Sequence, residues 1–369
     1  MLCKDYLGLH LTIQKYILLL KYQLPEGKSR IPILGLRILL IFGISLCATY
    51  DLSLVYFVSS DYIDTGSDVA AVLGTIEVVF ARTTIFCLAL HGLFGTQLNI
   101  ELLKMTIQFE EKLNSLTNRR IIQKTVLKNY LKILVIFTWS FLCNIAFLFN
   151  RLSMCFSTTT IAWYLRLMIQ ECLHNFTIFY IIDFIDLITK YSSILELNFR
   201  NPSNWHNIAM FNLTEKLFQL IKKLEKSFNI LIFYYLMYHI FSATFILYFI
   251  IRRHILHVKM TFFRTYVITF ALIWLIRSIY FSFYLCFRCH KIHEKMEKLL
   301  RTVLHADFET KSLKIRLLVK QIYMNRLHNK RKITALGFFS IDLTVFTQFT
   351  SSFVTYFLVL LQFKQLEDS

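Results

Sequence analysis

Seven apolar stretches, at approximately 33–58, 69–95, 130–150, 160–188, 230–251, 262–287 and 334–362, leave this chain few ways to fold. A helix needs about 20 largely apolar residues to cross about 30 Å of hydrocarbon, and every stretch meets that length. They are rich in aromatic and β-branched residues, which strands also favour, but each exceeds any ordinary strand. The chain therefore reads as an all-α, polytopic membrane protein with seven transmembrane helices. Composition agrees: of 369 residues, 56% are hydrophobic and 17% charged, whereas soluble domains sit near about 25% charged. A soluble enzyme, a disordered chain and a secreted disulfide scaffold are excluded. Most of the eight cysteines fall inside the apolar stretches, where Cys behaves as a small hydrophobe.

The net charge is +18. The basic residues lie between apolar stretches rather than in one patch, so they speak for membrane orientation and not for nucleic acid. The N-terminal segment and the second, fourth and sixth loops together carry thirty Lys or Arg. The opposite face carries five, Arg151, Arg252, Arg253, Lys259 and Lys364, and its first loop is acidic, with Asp61, Asp64 and Asp68. The positive-inside rule then expects the N-terminus in the cytoplasm and the C-terminus outside. On that reading 1–32 is a cytoplasmic segment and 33–287 a six-helix transmembrane bundle. Residues 288–333 are cytoplasmic helices, and 334–369 hold the seventh helix and a short extracellular tail. No signal-peptide cleavage pattern is seen in the first thirty residues. The sequons at Asn175 and Asn212 are expected to stay unmodified, one inside a span and one in a cytoplasmic loop.

The cytoplasmic loops are expected to be helical. Leu213, Leu217, Leu220, Ile221, Leu224 and Phe228 recur at helical spacing. Residues 291–323 do likewise, with Glu294/Lys298 and Glu297/Arg301 spaced for ion pairs. Such helices either lie on anionic lipid or extend the spans and pack on neighbouring subunits.

Charged residues inside spans are costly, at about 2.5–3.5 kcal/mol each on insertion scales, unless they find water or a partner. Arg37, Asp51, Glu77, Arg82, Lys132, Arg166, Glu171, Asp183, Asp186, Arg277 and Asp342 are of this kind. Arg37, Lys132 and Asp186 sit near span ends and can reach the interface. Glu77, Arg166 and Glu171 are candidates for a hydrated pocket, with an internal ion pair the equal alternative. Tyr234, Tyr235, Tyr238, His239 and Tyr248 line the fifth span, and Tyr266, Trp274 and Tyr280 the sixth. An apolar cavity with a few polar tips suits a small molecule, although an interfacial aromatic belt accounts for Tyr248 and Tyr266 nearly as well. The candidate ligand residues are thus Glu77, Arg166, Glu171, His239, Tyr248, Tyr266 and Trp274.

Cys286-Phe-Arg-Cys289-His290, with His293 beyond, has the spacing of a haem or zinc motif. It lies at the cytoplasmic end of a span, and four ligands on one continuous helix are crowded, so no metal or cofactor is expected. No catalytic constellation is present.

The last span ends Thr355-Tyr356-Phe357-Leu358-Val359-Leu360-Leu361-Gln362-Phe363. Thr-Tyr, five hydrophobics, then Gln-Phe resembles the signature of the insect gustatory receptor family. The preceding Ala335-Leu336-Gly337-Phe338-Phe339-Ser340-Ile341-Asp342 is similar to that family's entry into its last helix. The resemblance implies a tetrameric, ligand-gated, non-selective cation channel of the plasma membrane, homomeric or mixed with related receptors. Cytoplasmic helical extensions would form a shared anchor, the outer bundle would bind a sugar or bitter tastant, and the seventh helix would line the pore. On this sequence Gln362 and Phe363 would form the outer gate, with Val359, Thr355, Ser352 and Gln348 below. The residues alone agree in one respect. Gln348, Ser351, Ser352, Thr355 and Gln362 recur along one apolar helix, a stripe that suits water or protein better than lipid, although packing through small polar residues explains it as well. The 36 phenylalanines favour an apolar ligand over a sugar.

A G-protein-coupled receptor would place its N-terminus outside and carry proline kinks, but the three prolines, Pro25, Pro32 and Pro202, lie outside all spans. A secondary transporter would show internal repeats, which are not seen. An odorant receptor, or a relative sensing internal nutrients, would share the fold and differ in role.

Overall fold

The computed structural model describes residues 68–117, 158–201, 208–255, 262–309, 312–328 and 332–367. It also describes residues 3 and 6–11, and shorter helical pieces between 39 and 53 and between 131 and 142. In chain order the elements are α1 (Asp68–Phe94), α2 (Thr96–Thr117), α3 (Thr158–Phe199), α4 (Ile208–Ile255), α5 (Phe262–Glu309) and α6 (Leu313–His328). A small hairpin follows, β1 (Thr334–Ala335) and β2 (Phe339–Ser340), and then α7 (Leu343–Glu367).

The expected spans at 160–188, 230–251 and 262–287 fall within α3, α4 and α5, and that at 69–95 covers α1 and ends at the break after it. Among the described residues three helical segments are long and apolar enough to cross a bilayer: Met168–Phe199, Ile208–Tyr248 and Ala271–His305. Val78–Gly92 and Gln97–Thr117 pass the same test as a bent pair, and Leu343–Val359 is a shorter apolar helix. Most of 33–58 and 130–150 lies outside the described residues, as do Arg37, Asp51 and Lys132.

The expected loop helices are continuous with the spans. α4 and α5 each have 48 residues and α3 has 42. At 1.5 Å per residue, 48 residues reach about 72 Å, more than twice the hydrocarbon thickness, so each helix projects far beyond the bilayer. Their apolar face is turned into the chain's own core, not onto lipid. Leu213, Leu217, Leu220, Leu224 and Phe228 are buried in one cluster with Ile185, Leu195 and Phe199 of α3, Leu285, Ile292 and Leu299 of α5, and Leu102 and Phe109 of α2. Ile315, Val319 and Ile322 of α6 complete it. The outward charges pair as their spacing required, Lys298–Glu294 at 2.8 Å and Arg301–Glu297 at 3.9 Å.

The N-terminal residues join this core. Cys3, Leu7 and Leu11 are buried there, the Cys3 amide donates to Glu110 (2.9 Å), and His10 pairs with Asp183 of α3 at 2.8 Å. In the other half a smaller cluster, Ala243, Ile246, Ile250, Ala271 and Leu275, holds α4 to α5, and stacked Phe80 and Phe241 (4.4 Å) join α1 to α4.

Two breaks have clear causes. α1 and α2 meet at 65° around Gly95, where a Cβ would lie 2.7 Å from the His91 carbonyl oxygen; only glycine fits. The Asn99 amide hydrogen-bonds the His91 imidazole across the bend (3.0 Å). The second break shortens the seventh span: its helix starts at Leu343, because 334–340 fold into the hairpin, Thr334 opposite Ser340 and Ala335 opposite Phe339. Its turn, closed by Phe338 N donating to Ala335 O (3.0 Å), puts Leu336 at φ 53° and Gly337 at φ 80°. Positive φ at both central residues is the type I′ pattern.

Candidate ligand site and the exposed face of α7

Charges that a bilayer would penalise are paired where α3, α4 and α5 converge. Glu171 on α3 receives both Nη groups of Arg277 on α5, Nη1 donating to Oε2 at 2.8 Å and Nη2 to Oε1. The two side chains are 5% and 1% exposed. The bidentate geometry is the strongest form of this pair, and Tyr238 of α4 donates to Glu171 Oε1 at 3.5 Å. The indole of Trp274, one turn from Arg277, lies under its guanidinium at 4.8 Å, within cation–π range.

Beside this pair sits a ring cluster. His174, one turn from Glu171, stacks on His239 at 6.0 Å and meets Tyr235 edge-on at 4.7 Å. Tyr235 and His239 are 4.3 Å apart, and His239 Nδ1 lies 3.3 Å from Ser278 Oγ. Tyr235, Tyr238, His239 and Ser242 fall at i, i+3, i+4 and i+7 of α4, so one helical face presents them all. A second polar contact ties α1 to α3: Arg82 Nη1 donates to the Gln170 carbonyl oxygen, and the Gln170 amide to the Ala81 carbonyl.

Of the seven expected ligand residues, Glu171, His239 and Trp274 come together here. Arg166 is elsewhere, its guanidinium 5.7 Å from the Tyr50 ring. Tyr248 is buried on α4, but lies nine residues past His239, about 13 Å along the helix and on its opposite face. The side chains of Glu77 and Tyr266 lie outside the described residues. Arg277 was recognisable as a span charge but not as the partner of Glu171, since sequence spacing says nothing across helices. His174 and Ser242 were missed; their signal was the i, i+3 spacing from Glu171 and from His239. Asp186 pairs with Arg288 at 3.0 Å, and Asp342, which the hairpin places ahead of the seventh helix, pairs with Lys332 at 2.9 Å. Cys286, Cys289 and His293 are buried on α5, and His293 Nε2 accepts from Ile333 N (3.2 Å).

α7 is two-faced. Asp342 caps it, Oδ1 accepting from Val345 N (3.1 Å), with the pattern of an N-cap. Phe346 packs on Phe283 of α5 and Phe349 on Phe339 of the hairpin, each with centroids 5.3 Å apart. Gln348, Ser351, Ser352, Thr355, Val359 and Gln362 are exposed on the surface of the chain. The Phe363 side chain lies outside the described residues.

The long apolar helices and the charges paired between them define a multi-pass membrane protein. Residues 16–367 match the model of the 7tm Chemosensory receptor family, and the chain belongs to that insect chemosensory receptor family. The fold is similar to the insect olfactory receptor OR5 from Machilis hrabei, at 14% identity, covering 97% of this chain and 99% of that one, with a TM-score of 0.62. The structure of OR5 in complex with eugenol is similar over the same shares of both chains, at 14% identity and a TM-score of 0.67. No curated protein matches the chain.

Proposed function

We propose that this chain is a subunit of a taste receptor that is itself a ligand-gated, non-selective cation channel. The observation that carries the reading is the exposed face of α7. Phe346, Phe349 and Phe353 pack against the rest of the chain, while Gln348, Ser351, Ser352, Thr355 and Gln362 turn away from it. In lipid that face would leave the side-chain amides of Gln348 and Gln362 poorly solvated, even though the Thr355 hydroxyl donates to the Ser351 carbonyl (3.0 Å); around a shared aqueous path it is at home. The arrangement needs further copies, and we take a homo- or hetero-tetramer with related receptors, α7 facing the axis. Val359, Gln362 and Phe363 then form the constriction, which gates by dewetting. The N-terminus and the basic extensions of α3, α4 and α5 lie in the cytoplasm, with the receptor in the plasma membrane. An extracellular tastant, a sugar or a bitter compound, binds in the bundle near Glu171, Trp274 and His239 and draws α7 outward.

The Thr355-Tyr356 to Gln362-Phe363 ending supports the gustatory branch. The likeness to OR5, solved with eugenol, favours an odorant role as the second reading, and supports a small organic ligand in either case. The test is current recording from cells expressing this chain alone, with sugars and bitter compounds applied outside. An evoked cation current is expected. Verified surface expression with no current for any tastant, in this chain or with co-expressed relatives, contradicts the channel reading.

A further inference from the structure

The ring cluster has a property that packing alone does not explain. His174 Nε2, Tyr235 OH, His239 Nε2 and Ser242 Oγ are all buried with no hydrogen-bond partner. Their residues are 6%, 0%, 2% and 0% exposed. One such atom in a bundle is unremarkable, but four from adjacent turns of two facing helices, within apolar spans, are a concentrated cost to the closed packing. Neutral imidazoles and hydroxyls offer both donors and acceptors. The one formal charge pair nearby is internally matched, because Arg277 is held bidentately by Glu171. The site therefore offers nothing extra to an anion or a cation. Its walls are aromatic: Tyr235, Tyr238, Trp274, and Phe281 at 6.2 Å from the His239 ring.

We propose, building on the receptor reading above, that His174, Tyr235, His239 and Ser242 are the recognition site for an uncharged ring compound bearing one or more hydroxyl groups. A hydroxyl can donate to one of these atoms and accept from another, while the ring packs on the aromatic walls. The cluster is closed as it stands, so the ligand enters only when α5 parts from α3 and α4. The parted form gains the hydrogen bonds that the closed form lacks, and this difference lets binding shift the equilibrium between them. α5 carries the consequence to α7, because Ser278 at the cluster and Phe283 against Phe346 lie less than two turns apart.

The test uses the purified full chain in lipid nanodiscs. Phenol, cyclohexanol and myo-inositol are titrated against anisole, methoxycyclohexane and hexa-O-methyl-inositol, with binding read by thermal shift. At least one hydroxyl compound should bind about tenfold more tightly than its ether, the size of one lost hydrogen bond. Phenol and inositol distinguish an aromatic from a polyol ligand. Tyr235→Phe, which removes only the oxygen, should abolish that preference, and His239→Phe should do the same. Tyr235→Phe should also melt no lower than wild type without ligand, because its hydroxyl is unpaired in the closed form. Equal binding of alcohols and ethers, an intact preference in Tyr235→Phe, or a clearly lowered melting temperature in that variant overturns the proposal. A hydroxyl preference without any evoked current sinks the channel reading and leaves this site standing; a current without the preference does the reverse.

Discussion

The pair between Glu171 and Arg277 joins α3 to α5 through two charges that are 5% and 1% exposed. Removing one partner of a buried, hydrogen-bonded pair strands a charge, at about 3–5 kcal/mol, whereas replacing both by apolar residues is often neutral. Arg277→Met should therefore sharply lower the melting temperature and surface yield, and Glu171→Leu with Arg277→Met should recover most of both. Losses that simply add in the double variant would show that the two side chains act independently. Asp342 gives a pH-dependent counterpart outside the spans. Burial alone would raise its pKa, but the Lys332 ammonium, the Val345 amide and the Ser340 hydroxyl outweigh burial and hold the carboxyl below the usual aspartate range. A carboxylate with a lowered folded pKa stabilises the fold above its unfolded pKa, and that stability is lost as pH falls through the folded value. Wild type should lose stability over that acidic window, and Asp342→Asn should show less of the loss while being less stable at neutral pH.

At the scale of elements, the hairpin between α6 and α7 concentrates the strain. Gly337 suits its positive φ, but Leu336 at φ 53° occupies a conformation that costs an L-residue about 1–2 kcal/mol. Leu336→Asn should raise stability by about 0.5–1 kcal/mol, since Asn tolerates that region, and Gly337→Val should lower it; thermal melts of both variants check the pair. Length and hydropathy made the spans in α1, α3, α4 and α5 legible, and helical spacing exposed the apolar face of 213–228. The hairpin was not legible, because Ala335 to Ile341 is as apolar as a span and only the paired positive φ reveals the turn. Nor was the 65° bend at Gly95, where the need for glycine comes from the His91 carbonyl pressing on the next turn. Glu171 and His239 could be named as site residues because polar groups in apolar helices stand out. Their convergence on Arg277, and the departure of Tyr248 to another face, depend on how three helices rotate about their axes, which sequence periodicity does not set.

Across the whole molecule, the dense core runs from the spans of α3, α4 and α5 into their extensions, and the charges on those extensions are predominantly basic. If the extensions are cytoplasmic, Asn212, exposed on α4, is never presented to the glycosylation machinery. The chain expressed in insect cells should show no mobility shift on endoglycosidase treatment that Asn212→Gln removes; such a shift would invert the topology. The function proposed for the molecule rests on the two faces of α7. The most direct measurement is block of the ligand-evoked current by a water-soluble, thiol-reactive cation, comparing Thr355→Cys and Ser352→Cys with Phe349→Cys and Phe353→Cys against the parent background. If α7 lines the ion path, the first two are blocked irreversibly and the phenylalanine positions behave as the parent does. Block confined to the phenylalanine positions, or indifference at all four in a conducting channel, would mean that ions take another route.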